Sequence, residues 1–279
     1  MTQFTVVCEN TALPVPGVLG EHGFAVFIET GGAGLLFDTG QGHTLLHNAR
    51  CLGKDLAGVR KIFLSHGHFD HTGGLAQVLE ESGEVAVYAH PDMFIERFVE
   101  QKKGEKKELR YVGPPETRQR YEQLGARFVF NTGFSEVQKD VYLTGEVPRK
   151  TAFEKSDRRL VARINGALVQ DPLRDDQSLV VRTQRGLVVV LGCAHSGMIN
   201  TLVHIRTMLP GDDIHMVFGG THVGFLTGKQ VLETIEALEG FSIDKIGVSH
   251  CTGLPGAMRF MEAFGEKFFP ANAGSVITV

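Results

Sequence analysis

The chain has 279 residues, 42% of them apolar, and a formal charge of −4 at pH 7. That length is enough for one α/β domain with a sizeable core, spanning residues 1–279. The mild acidity offers no electrostatic footing for nucleic acid or a membrane surface, and no run of about 18 apolar residues supplies a spanning helix. Nineteen Phe stand in for the missing Trp as large core residues, and 34 Gly imply many tight turns. Cys8, Cys51, Cys193 and Cys251 are widely spaced and form no CxxC pair. Met1-Thr2-Gln3-Phe4 lacks the basic start and apolar stretch of a signal peptide, so a reducing, cytoplasmic setting is expected.

The first forty residues read as strands: a short β-prone run at 4–8, then a hairpin, 24–29 and 34–37, turning at Gly31-Gly32-Ala33 and ending in Asp38-Thr39-Gly40. Residues 44–52 carry Leu45, Leu46, Ala49 and Leu52 on one helical face. A buried strand at 61–65 leads into a His-rich loop, followed by a helix near 75–81 and a strand at 85–89. The stretch 91–127 is rich in Lys and Arg and is broken by Gly113-Pro114-Pro115. It reads as a helical insertion or cap of two broken helices, too poor in apolar residues for its own core. Its charges suit either a solvated surface or a basic lid over a phosphorylated substrate.

Strands resume at 127–130 and 141–144, and a polar loop covers 149–176. A second hairpin, 178–183 and 187–191, turns at Gln184-Arg185-Gly186 and ends in Gly192-Cys193-Ala194-His195. A helix at 199–209, a strand at 214–218 ending in Gly219-Gly220-Thr221-His222, and a helix at 230–238 follow. A strand at 245–249 ends in His250-Cys251-Thr252-Gly253; another helix and a strand at 275–279 close the chain. Each half therefore has a hairpin and then strands that end in His-bearing loops.

His66-Gly67-His68-Phe69-Asp70-His71 concentrates four potential metal ligands in six residues, directly after an apolar strand. In a turn His66 and His68 can share one ion, while Asp70 and His71 face a second position. Imidazole and carboxylate suit zinc first, with iron and manganese as alternatives, in a site of one or two divalent ions. Such a cluster at a strand end has no good structural use.

The motif resembles the hallmark His-x-His-x-Asp-His of the metallo-β-lactamase superfamily, and the resemblance covers nearly the whole chain. It implies a four-layer αββα sandwich with metals at one edge between two sheets. Asp38 matches the family's early acidic position, which supports the site from behind. His195 and His250 would complete the ligand set of His66, His68, Asp70 and His71. His222 is open between ligand, substrate contact and proton donor. The superfamily usually bridges its metals with an Asp at a strand end; here Cys193 holds a comparable place, and Asp176 is another candidate. The loops at 192–201, 219–222 and 249–253 together resemble the 7,8-dihydropterin-6-methyl-4-(β-D-ribofuranosyl)aminobenzene-5′-phosphate synthase branch.

These readings predict a metal-dependent hydrolase or transferase acting on a small, anionic, phosphorylated metabolite, pterin-related if the branch resemblance holds. Asp70 and His222 are the catalytic candidates. A phosphodiesterase or lactonase using a metal-bound hydroxide is the alternative, and a non-catalytic metal or ligand sensor is the alternative of another class. The sequence leaves the oligomeric state open.

Overall fold

The computed structural model describes residues 1–104 and 106–279. In chain order, β1 (Gln3–Cys8), β2 (Ala25–Thr30) and β3 (Ala33–Phe37) lead to α1 (Leu45–Cys51) and β4 (Lys61–Phe63). Then come α2 (Phe69–Thr72), α3 (Leu75–Ser82), β5 (Val85–Ala89), β6 (Arg97–Lys103), β7 (Lys106–Tyr111), α4 (Arg118–Gln123) and β8 (Ala126–Phe130). The second half runs β9 (Ser135–Gln138), β10 (Val141–Leu143), β11 (Leu160–Ile164), β12 (Ala167–Gln170), β13 (Leu179–Thr183) and β14 (Gly186–Leu191). It continues α5 (Met198–Met208), β15 (Ile214–Gly220), α6 (Gly228–Glu239), β16 (Lys245–Ser249), α7 (Gly253–Phe264), β17 (Phe268–Pro270) and β18 (Val276–Thr278).

Two seven-stranded sheets result, ordered β18-β1-β2-β3-β4-β5-β8 and β17-β16-β15-β14-β13-β10-β9. Each combines an antiparallel hairpin with parallel strands on one flank, as the paired pattern of the two halves predicts. Successive strand residues point to opposite faces, and both faces here are apolar. Phe4, Val26, Ile28, Leu35, Phe37 and Phe63 meet Val188, Val190 and Phe218 between the sheets. The alternating set, including Val7, Phe27, Leu36 and Ile62, packs outward against α1 and α3, and Leu187, Val189 and Leu191 pack against α5, α6 and α7. Three parallel cores make the four-layer αββα sandwich. Among the described residues no helix is long and apolar enough to cross a membrane.

The helical insertion expected at 91–127 requires correction. After a single 3-10 turn at Pro91–Phe94 the chain forms the β6–β7 hairpin, and only α4 is helical. The loop expected at 149–176 contains a second hairpin, β11–β12, and the two hairpins join as a four-stranded sheet, β12-β11-β6-β7. Lys and Glu favour helices weakly, but these segments have no apolar helical stripe. Strand pairing satisfies their backbone groups instead, through the register Phe98↔Tyr111 and Val161↔Phe98.

Candidate metal centre and cleft

The parallel strands deliver their C-terminal ends to one edge of the sandwich, where ligand sites of open α/β sheets lie. β4 runs into His66, β14 into Cys193 and His195, β15 into His222, and β16 into His250. Sharp backbone turns are needed there. Asp38, Ala194, His222 and His250 all have left-handed φ, between 53° and 56°, a conformation that non-glycine residues rarely keep away from functional sites. Gly67 is obligatory for space: a Cβ there would lie 2.1 Å from the Met93 carbonyl oxygen.

The donors fall into two overlapping groups. In the first, His66 Nε2 lies 3.0 Å from His68 Nδ1 and 3.3 Å from His195 Nε2. All three rings are buried. Burial pushes their pKa values down, His68 to about 3 and the other two well below the ordinary imidazole range. Neutral nitrogens thus face one another at close range, and the buried His68 Nε2 has no hydrogen-bond partner among the described residues. Tetrahedral coordination with metal–nitrogen bonds near 2.0–2.1 Å spaces the nitrogens about 3.3 Å apart, so the donor set fits a cation.

In the second group, Asp70 Oδ2 lies 3.0 Å from His22 Nε2 and 3.3 Å from His250 Nε2. His71 Nε2 is 3.2 Å from His250 Nε2. Cys193 Sγ, 3.2 Å from His71 Nε2, joins the groups, since its sulfur clusters with His66 and His71 and also with His195 and His222. Burial opposes the Asp70 charge, but His71, His22 and His250 hold its carboxyl well below the usual range.

Each donor is fixed from behind, as metal-binding histidines require. Asp38 accepts from His71 Nδ1 at 2.7 Å and from Ser65 Oγ at 2.7 Å. Ser65 Oγ in turn lies 2.9 Å from His66 Nδ1. One carboxylate thus sets the tautomers of both rings and directs both Nε2 atoms into the site. Burial alone would lower His71, yet Asp38 and Asp70 carry it up to about 9. Asn10 Oδ1 lies 3.0 Å from His250 Nδ1. Asp175 accepts from Gly67 N at 2.8 Å and is gripped by buried Arg97 at 2.7 Å.

The structure thus brings together His66, His68, Asp70, His71, Cys193, His195 and His250, with Asp38 behind them. Asp176 stands outside the donor groups: its carboxylate accepts from Ser196 N at 2.8 Å and shapes the His195 loop. His222 lies tilted beside His195, with ring centroids 4.2 Å apart, and its Nε2 lies 3.7 Å from Asp157. Burial would lower His222, but Asp157 and Cys251 raise it to about 9.

Sequence reasoning missed His22, Cys251, Asp157, Arg97 and Asp175. Glu21-His22-Gly23, a polar group at the mouth of a buried strand, was an available signal for the first. The others lie beside named motifs or in segments read as featureless. Above the donors opens a cavity of about 250 Å³ with His68, His195, His222 and His250 on its floor and Arg110 and Arg159 among its walls.

A family model for the metallo-beta-lactamase superfamily matches residues 19–197. A 7,8-dihydropterin-6-methyl-4-(beta-D-ribofuranosyl)-aminobenzene-5′-phosphate synthase of Methanocaldococcus jannaschii is 30% identical over 268 residues, covering 92% of this chain and 90% of that protein. The crystal structure of Tm1679, described as a metal-dependent hydrolase of the beta-lactamase superfamily, superposes with a TM-score of 0.84 at 27% identity, covering 100% of this chain and 99% of that one. The metallo-beta-lactamase fold protein YhfI of Bacillus subtilis shares the fold with a TM-score of 0.58 at 10% identity, over the whole of both chains. With the matched region including the His66–His71 motif and the Cys193–His195 loop, the chain belongs to the metallo-beta-lactamase superfamily.

Proposed function

We propose that the protein is a metal-dependent hydrolase or transferase acting on a small phosphorylated metabolite. The observation that carries this reading is that both donor groups reach one cavity, the first through His68 and His195 and the second through Asp70 and His250, with Cys193 common to both. His66, His68 and His195 would hold one divalent ion; Asp70, His71 and His250 would hold a second, with Cys193 between them. Zinc suits this nitrogen-, oxygen- and sulfur-bearing set best, and iron or manganese are the alternatives. A bound ion would supply Lewis-acid polarisation and stabilise developing negative charge.

The chain's own side chains supply the rest. Asp70 orients the attacking group. His222, held cationic beside Asp157, presents a proton and a positive charge to the oxygen that becomes negative. Asp157, 3.7 Å from His222 Nε2, stabilises that positive charge. The oxygen-attack form is hydrolysis of a phosphoester or lactone. The relative's name supports a transferase form. There an aminobenzene nitrogen bonds to the methylene carbon of a dihydropterin as the C–O bond to diphosphate breaks, and the amine proton leaves.

The test is turnover of metal-loaded protein on phosphoesters, lactones and a dihydropterin diphosphate offered with an aminobenzene ribofuranosyl phosphate. Metal-dependent turnover that His68→Ala abolishes supports the reading. Equal turnover by metal-depleted protein overturns it.

A further inference from the structure

We propose that Arg110 is the specificity-determining residue for a second anionic group on the substrate, one that takes no part in the reacting bond. This rests on the reading of the cavity as a substrate site and names the class of molecule that fills it: a compact anion-bearing substrate with a further phosphate or carboxylate.

Three observations carry it. The first is charge. Of the other cationic side chains that line the cavity, Arg159 is tied to Asp157, through contacts of 2.6 to 3.2 Å, His22 pairs with Asp70, and His222 is assigned to the reacting oxygen. Arg110 forms no ion pair among the described residues. Its guanidinium lies 5.8 Å from the centre of the Phe69 ring. An aromatic face beneath a guanidinium fixes its plane and leaves its N–H edge free for an oxyanion.

The second is placement. Phe69 sits between His68 and Asp70 in the metal motif, so a group held by Arg110 lies beside the donors without displacing them. The third is rigidity. The hairpin that bears Arg110 is bolted to the motif at two points. Phe69 N donates to the Val112 carbonyl at 3.0 Å, and Val112 N donates to the Arg97 carbonyl at 2.9 Å. Arg97, buried at the start of β6, donates to Asp171 at 2.9 Å and to Asp175 at 2.7 Å, and Asp175 accepts from Gly67 N. Val99 pairs with Arg110 across the hairpin. These bonds fix the strand backbone, so the exposed Arg110 side chain is carried at a set position beside the motif. The general chemistry of the donor groups needs no such cation.

The test compares three non-hydrolysable probes on zinc-loaded protein by calorimetry: phenylphosphonate, 4-carboxyphenylphosphonate and 1,4-phenylenediphosphonate. Wild type is expected to bind the doubly anionic probes about ten-fold more tightly, the scale of one charge-assisted hydrogen-bonding contact. A gain with both probes assigns any oxyanion; a gain with the diphosphonate alone restricts the class to phosphate. In Arg110→Ala the ratio is expected to fall to about one, and Arg110→Lys, a point charge without the planar fork, to recover part of it. A wild-type ratio of one, or a ratio that survives Arg110→Ala, overturns the proposal. If metal-depleted protein shows the wild-type ratio and Arg110→Ala loses it, the assignment of Arg110 stands and the metal-dependent reading falls.

Discussion

Asp38 Oδ2 accepts a hydrogen bond from His71 Nδ1 at 2.7 Å, and both side chains are completely buried. The same carboxylate holds Ser65, so it governs two imidazoles at once. Asp38→Asn keeps a residue that tolerates the left-handed backbone at φ 56° but removes the charge. Metal affinity is expected to fall about ten- to hundred-fold, measured by competition with a chromophoric chelator, with the circular dichroism spectrum retained. Unchanged affinity would remove Asp38 from the site.

Metal-free stability should pass through a maximum near the ordinary imidazole pKa of 6.5. Below it, the unfolded chain binds a proton that His68, lowered to about 3, refuses in the fold, so stability falls as pH drops from 6.5 towards 3. Above it, His71 and His222, both raised to about 9, keep protons that the unfolded chain releases, so their contribution is lost as pH rises from 6.5 through 9. Urea denaturation of chelator-treated protein across this range tests both limbs. A steady rise up to pH 9 would show that neither ring is held protonated.

Gly67→Ala should damage the site and not merely the surface. The new methyl would meet the Met93 carbonyl at 2.1 Å and Arg97 Nη1 at 2.8 Å. The loop between His66 and His68 must then shift, at a cost of about 1–3 kcal/mol for overpacking. Loss of metal together with a lowered denaturation midpoint is expected; full metal content would mean the loop absorbs the strain.

His222→Ala and Asp157→Asn should retain at least one metal per chain while lowering kcat by about 10² or more, the scale of a lost general acid. Similar losses in kcat with KM little changed in both variants would tie the two residues to one proton-transfer unit. Loss of all metal in His222→Ala would place that ring among the ligands.

Much of this site was legible because its donors are close in sequence or close strands. His66, His68, Asp70 and His71 fall in six residues, and His195, His222 and His250 each follow an apolar run that only a buried strand explains. The alternation of Val188 and Val190 against Leu187, Val189 and Leu191 had no polar face, which marks a strand covered on both sides. What escaped was the four-stranded roof. Arg97–Lys103 and Lys106–Tyr111 are strands whose third partner, Leu160–Ile164, lies some fifty residues on. Neither shows the period-2 apolar pattern, and their Lys and Glu imitate a helix surface. Arg110, Asp157 and the Arg97–Asp175 pair were hidden with them, because contact between two distant charged segments leaves no local signature. His22 was missed for a related reason: a lone, half-exposed histidine 48 residues before Asp70 becomes a neighbour of that carboxylate only through the fold.

Two donor groups that would each hold one ion set the metal content of the protein. Plasma mass spectrometry on protein purified without added metal should give about two divalent ions per chain. His250→Ala should fall towards one, because the His66–His68–His195 group remains whole. No metal in the wild type, or no change in the variant, would mean that the two groups do not hold an ion each.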